Sequence, residues 1–105
     1  MTYYMLAQVK LKFGAANLER FTQELLPEVQ RLMEQGGIKL KHCMVTQVGQ
    51  LFEMWDLWEL GDSTDTSRVG ELMADPACAP LLAALSEVIE SEHTRLLASV
   101  PGHVD

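Results

Sequence analysis

In the run LFEMWDLWEL, residues 51 to 60, one acid stands inside the most apolar stretch of the chain, with both tryptophans around it. A carboxyl walled by Met54, Trp58 and aliphatic neighbours loses hydration, which raises its pKa towards the range useful for proton transfer. Asp56 is therefore the first candidate for a catalytic acid or base. The plainer alternative is a structural carboxylate paired with a Lys or Arg, or hydrogen-bonded at a loop. His42 offers an imidazole that exchanges its proton near neutral pH, or simply an interface hydrogen bond. His93 stands beside Glu92, and such a pair could orient a substrate at a pocket mouth; a helix C-terminus explains it equally well. Tyr3 and Tyr4 begin a strand on opposite faces, so at least one phenol points inward, as proton donor, anchor or interface filler. Tyr4 joins Asp56 and His42 as a catalytic candidate. Tyr3, Met54, Trp55, Trp58, Cys43, His93 and Glu92 are the expected lining of a pocket for a flat or greasy molecule.

Other chemistries lack their signatures. No Gly-rich phosphate loop, HxH, HxxxH or CxxC pairing and no nucleophile elbow occurs, so neither a cofactor nor a metal is expected. Cys43 and Cys78 are too few and too scattered for a disulfide framework or a zinc site, and read as reduced thiols. A net charge of −7, from 8 basic and 15 acidic residues, opposes a nucleic-acid partner. No apolar run approaches the roughly 18 residues of a membrane span, and MTYYMLAQVK has no signal-peptide pattern, so the expectation is cytoplasmic with no membrane partner.

The elements that must position these side chains follow from periodicity. Residues 3 to 12 alternate, with Met5, Ala7, Val9 and Leu11 on one side and Leu6, Gln8 and Lys10 on the other. Asn17 is the expected cap of a helix with Glu19 in its first turn. That helix carries the stripe Leu18, Phe21, Leu25, Val29 and Leu32; Pro27 should kink it, and Gly36-Gly37 should close it. Residues 38 to 48 and 51 to 60 read as an antiparallel hairpin around Gly49-Gln50. That turn sets Cys43 against Asp56, Val45 against Met54 and Lys41 against Trp58; a one-residue slip would bring His42 to Asp56 instead.

Residues 61 to 68 carry loop and capping chemistry before a short helix through Met73, and Asp75-Pro76 restarts a helix. Leu81, Leu82, Leu85, Val88 and Ile89 face inward, and Glu90, Glu92 and His93 mark the helix end. Residues 94 to 100 are a last helical turn or a final strand. Lys10, Lys12, Lys39 and Lys41 read as outward edge charges. The result is one α+β domain over residues 1 to 100, a ferredoxin-like βαββαβ plan, with a disordered tail at 101 to 105. Both faces of the 51 to 60 strand avoid solvent while the helices suffice for one, so a homodimer packing sheet on sheet is expected. A 105-residue domain buries only about two thirds of its unfolded surface, which favours such a partner.

The chain resembles the NIPSNAP-like branch of the dimeric α/β-barrel superfamily. The likeness rests on YxLxxxxLKxG at residues 4 to 14, VGQL at 48 to 51, Leu57-Trp58, Arg68, and LMADPA at 72 to 77. The resemblance implies a ferredoxin-like domain whose sheet pairs with a second copy into a barrel, and places Asp56 facing a cavity between sheet and helices. Family members typically carry Glu and Arg near Met5 and Ala7, Tyr near Val9, His at Asp56 and Trp at Cys78; these departures imply a more apolar pocket here. Relatives in the superfamily include cofactor-independent monooxygenases, polyketide cyclases and muconolactone-type isomerases.

The expected function is a small cofactor-independent enzyme acting on a hydrophobic, polyketide-like or aromatic metabolite. It would use acid/base-assisted cyclisation, isomerisation or elimination, and its expected setting is a biosynthetic pathway. The alternatives are a cofactor-free monooxygenase and a non-catalytic ligand-binding dimer.

Overall fold

The computed structural model describes residues 2–62 and 65–102, without the side chain of Thr66. Strand β1 (Tyr3–Leu11) keeps the alternation read from its sequence: Met5, Ala7, Val9 and Leu11 are buried, and Leu6, Gln8 and Lys10 lie half-buried between them. Gly14, at φ 130°, turns the chain into helix α1 (Ala15–Arg20). The helix thus begins before Asn17, which is not its cap. Inside the first turn, the Asn17 amide instead donates to the carbonyls of Lys12 and Phe13, each at 3.2 Å, and ties the helix start to the strand end. Glu19 consequently falls outside the first turn.

The expected disturbance at Pro27 takes the form of a widening rather than a break. Between α1 and α2 (Leu26–Gln35) the helix passes through a π-helical stretch, Phe21–Leu25. Proline has no N–H to donate and its ring crowds the carbonyl four residues back; a wider turn relieves both problems. The widening also shifts the phase of the inward face. Leu26 and Met33 are buried beyond it, while Leu32 is only half-buried.

The end of α2 follows the Gly36-Gly37 reading. Gly37 N–H donates to Glu34 O and Ile38 N–H to Met33 O, both at 3.0 Å, with Gly37 at φ 80°. This is a Schellman closure with glycine at the left-handed position. It seats Ile38, fully buried, under the helices.

Strands β2 (Lys39–Val45) and β3 (Glu53–Leu60) form the expected antiparallel pair, with Cys43 opposite Asp56 and Val45 opposite Met54. The ladder stops short of Gly49-Gln50: Thr46 N–H donates to Glu53 O at 2.9 Å, and a longer loop follows, with Gly49 and Phe52 at positive φ. Lys41 does not face Trp58. The register shifts between Leu40 and His42, so Leu40 pairs with Trp58 and His42 with Leu57, leaving Lys41 as the extra residue of a bulge. Lys41 Nζ lies 3.6 Å from Glu59.

After β3 the buried Asp65 carboxylate accepts from the backbone N–H groups of Gly61 (2.7 Å) and Asp62 (3.3 Å), starting α3 (Asp65–Ala74). Ser63 and Thr64, part of the expected capping loop, lie outside the described residues. Asp75 caps the next turn, accepting from Ala77 N–H at 2.9 Å, and Pro76–Cys78 leads into α4 (Ala79–Val88). Leu82 is 40% exposed and so is not part of the inward face.

Helix α4 ends at Val88, and β4 (Ile89–Ala98) begins at once. Glu90, Glu92 and His93 therefore sit on a strand, not at a helix end. β1 offers a free edge along its full length, and β4 pairs with it from Ile89 to Ala98, overriding the local ambiguity. Of the expected tail, Pro101 and Gly102 form a turn, and residues 103 to 105 lie outside the described residues.

The sheet order is β2-β3-β1-β4, with all neighbours antiparallel, the ferredoxin-like α+β arrangement. One face, bearing Met5, Ala7, Val9, Met54 and Trp58, packs on Phe21, Leu25, Leu26, Met33 and Val88 of the helices. The opposite face carries Tyr4, Leu6, Trp55, Leu57, Met44 and Leu97 by ladder position, and no helix covers it. Lys10 lies on this face of a central strand and pairs with Glu90 at 3.3 Å, so it is not an edge charge. Among the described residues, no helix is long and apolar enough to cross a membrane.

Candidate functional site

Asp56 sits at the middle of β3 on the helix-covered face, 3% exposed. Its neighbour across one ladder is Ala7 and across the other Cys43. Ala7 has no side chain beyond a methyl, so space opens above the centre of the sheet instead of being filled. A cavity of about 390 Å³ occupies that space. Its floor is Met5, Ala7, Val9, Asp56 and Trp58, and its roof is helical, with Phe21, Leu26, Val29 and Met33 among the contributors.

Two properties mark the Asp56 carboxyl. Its Oδ1 is buried and has no hydrogen-bond partner. Burial pushes its pKa above the ordinary value of 3.8, partly offset by a hydrogen bond from the Cys43 thiol. A buried oxygen left without a donor costs free energy, and here it borders a cavity. Glu92 joins it from β4. Opposite Val9 in the ladder, Glu92 shares the cavity-facing side, and its pKa too is raised, first by burial and then by the negative charge of Asp56. Cys43 lies on the edge strand, and its thiol is pushed up to about 12 by burial, with the Asp56 hydrogen bond and charge adding to it. It acts as a hydrogen-bond donor to the acid, not as a nucleophile.

Asp56, Cys43, Trp58 and Glu92 are thus brought together. Met54 and Tyr3 belong to the same side but pack in and against the core, away from the cavity wall. His42, Tyr4, Trp55 and His93 stand on the other face, opposite Leu57, Glu59, Gln8 and Gln8 respectively in their ladders. Within one chain they cannot assist Asp56, because the sheet lies between them. Trp55 has a different partner: its indole N–H donates to Glu53 Oε1 at 3.1 Å, and Gln8 and Thr46 donate to the same carboxylate.

The helical roof is what the sequence left unread. Leu26, Met33, Val69 and Met73 line the cavity, and the phase shift at the π-helical stretch hides the first two from a regular 3.6-residue count. The pairing of Leu26 with Met33, seven residues on, was the available signal. Among the described residues no three His, Cys, Asp or Glu side chains gather as a metal site would require.

Several residues that carry the family likeness have structural duties instead. Arg68 donates to Gly36 O at 2.9 Å and joins α3 to the end of α2, and Asp75 caps its own turn. These positions explain a shared frame, not a shared reaction.

No family model matches the chain, and no curated protein matches it in sequence. Solved structures do share its fold. The class is ferredoxin-like: a dimeric ferredoxin-like protein from an uncultured marine organism superposes with a TM-score of 0.67 at 12% identity, over 99% of this chain and 92% of that one. Within that class the chain is similar to NIPSNAP domain proteins. An uncharacterised one from Burkholderia xenovorans gives a TM-score of 0.77 at 18% identity, over 98% and 99% of the two chains. A cofactor-independent oxygenase from Streptomyces nogalater is more distant, with a TM-score of 0.65 at 10% identity over 94% and 93%. Likeness at these identities is likeness of fold.

Proposed function

We propose that the protein is a small enzyme that uses no cofactor and moves a proton on a hydrophobic, polyketide-like or aromatic metabolite, with Asp56 as the acid or base. The observation that supports this most is the unpartnered Oδ1 of a buried carboxyl at the wall of a cavity whose helical roof is apolar. As carboxylate, Asp56 takes a proton from a carbon beside a substrate carbonyl; the C–H electron pair forms a C=C bond and the carbonyl π pair moves to oxygen, giving an enolate. For isomerisation, the protonated Asp56 returns that proton to a different carbon. For cyclisation, the enolate carbon attacks a second carbonyl of the same molecule, and the proton goes to the new alkoxide. The cavity holds a flexible substrate in one reactive shape, which is worth several kcal/mol in such reactions.

The uncovered face of the sheet supports a homodimer. Tyr4, Leu6, Trp55, Leu57, Met44 and Leu97 form an apolar surface suited to a second sheet, closing a barrel of two copies.

A panel of polyketide-like phenols and β-diketones tests the reaction. Asp56→Asn should keep the fold and ligand affinity and lower turnover by about 10²–10⁴-fold, the usual contribution of a general acid or base; turnover unchanged in Asp56→Asn removes the acid from the reaction. The Streptomyces nogalater likeness favours a second reading, in which the same substrate carbanion reacts with dioxygen. Oxygen consumption with a phenolic substrate and no added cofactor separates the two. Affinity without turnover across the panel would instead support a ligand-binding dimer.

A further inference from the structure

Resting on the reading of the cavity as a ligand site, we propose that Asp56 and Glu92 form a carboxyl pair that admits uncharged or cationic fused-ring molecules bearing a hydroxyl or amino donor and turns away carboxylates. The pair comes from two strands that flank β1. Asp56 stands opposite Ala7, and Glu92 opposite Val9, so both acids lie on the cavity side, one on each of the strands that flank β1. Both border the cavity.

Among the described residues, what surrounds them supplies no counter-charge. The helices contribute Phe21, Leu26, Val29, Met33, Val69 and Met73, among others, and none of the helical residues at the cavity is charged. Arg95 also borders it, but its ladder partner is Leu6, which sets its side chain towards the uncovered face. The remaining titratable neighbour of Asp56 is Cys43, which is neutral and donates to it. A guest carboxylate would therefore meet acids with no cation to offset the repulsion, and like charges brought together disfavour binding. A hydroxyl or amino group instead gives Asp56 Oδ1 the donor it lacks. Burial raises the pKa of Asp56, and burial followed by the charge of Asp56 raises that of Glu92, so each holds its proton more readily than a free carboxyl.

Size narrows the class further. An apolar cavity of roughly 150 Å³ takes a benzene ring, so about 390 Å³ has room for two or three fused rings.

The test is calorimetric binding of 2-naphthol and 2-naphthoate at pH 7 to the intact protein. The expected result is that naphthol binds and naphthoate binds at least about tenfold more weakly, a gap of roughly 1.4 kcal/mol. Glu92→Gln, a change that keeps the size of the side chain on the edge strand β4, is expected to narrow that gap at least about threefold. Adding Asp56→Asn should bring the two affinities within about threefold. Thermal melting of each variant confirms folding. Equal binding of the two probes, a gap that survives in Glu92→Gln, or failure of both probes to bind overturns the proposal. An Asp56→Asn protein that binds naphthoate no better than the parent, yet has lost turnover, sinks the charge filter and leaves the acid/base reading standing.

Discussion

Cys43 is exposed on an edge strand, yet its thiol is pushed up to about 12, far from the ordinary 9.0. That leaves about a thousandfold less thiolate at neutral pH than an ordinary cysteine has, and thiolate is the reacting species. Cys43 should therefore react slowly with a disulfide reagent at pH 8 despite its exposure, and Asp56→Asn should speed the reaction at least about tenfold by removing the charge behind the thiol. A fast reaction in the parent would show that the thiol does not lean on Asp56. The acid itself makes a stability prediction. Because the folded-state pKa of Asp56 is raised, its contribution to stability is fully present below 3.8 and is lost as pH rises through the folded value. Asp56→Asn cannot ionise, so it should melt higher than the parent at pH 8, by about 4–8 °C per kcal/mol gained, and the advantage should shrink towards pH 4. Asp56 was legible in the sequence because a lone acid in an apolar run contradicts its surroundings. Its pairing with Cys43 was legible because the hairpin pattern gave the register. Glu92 was named for the wrong reason, as a neighbour of His93, and alternation along β4 in fact sends the two to opposite faces.

At the scale of elements, the helix end at Gly36-Gly37 was written plainly, since only glycine takes the left-handed position without strain. Gly37, at φ 80° with nothing within 4 Å of an added Cβ, isolates that backbone requirement from packing. Gly37→Ala should cost about 1 kcal/mol and lower the melting temperature accordingly, while Gly37→Asn should retain most of the stability. Equal losses for Ala and Asn would mean that the position is constrained by something other than its dihedral angles. Pro27 announced a disturbance, but not that a π-helical stretch would carry it, because a missing N–H can be accommodated by a kink, a break or a wider turn. The consequence for the site is direct: the inward face shifts to Leu26 and Met33, and these roof the cavity. The last strand was obscured for a different reason. Residues 89 to 93 have no strong period of their own, and the free edge of β1 decides their conformation. The bulge at Lys41 likewise arises between strands and leaves no local mark.

For the whole molecule, the proposed reading assigns assembly to the uncovered face of the sheet and chemistry to the helix-covered one. His42, Tyr4, Trp55 and His93, first grouped with the catalytic acid, lie on the uncovered face. The protein should sediment at twice its 11.7 kDa chain mass. Leu57→Lys, which places a charge at the centre of that face, should shift it towards the monomer without emptying the cavity on the other side. A parent that sediments as a monomer at micromolar concentration would contradict the barrel. The proposed chemistry depends on the Asp56 carboxyl, buried under an apolar helical roof with one oxygen that lacks a donor. Its most direct test is the pH titration of the Asp56 side-chain carboxyl carbon by NMR, with and without saturating 2-naphthol. The account predicts a midpoint above 3.8 in the free protein and a resonance that moves when naphthol binds. A midpoint at or below 3.8, with a resonance indifferent to the ligand, would contradict it.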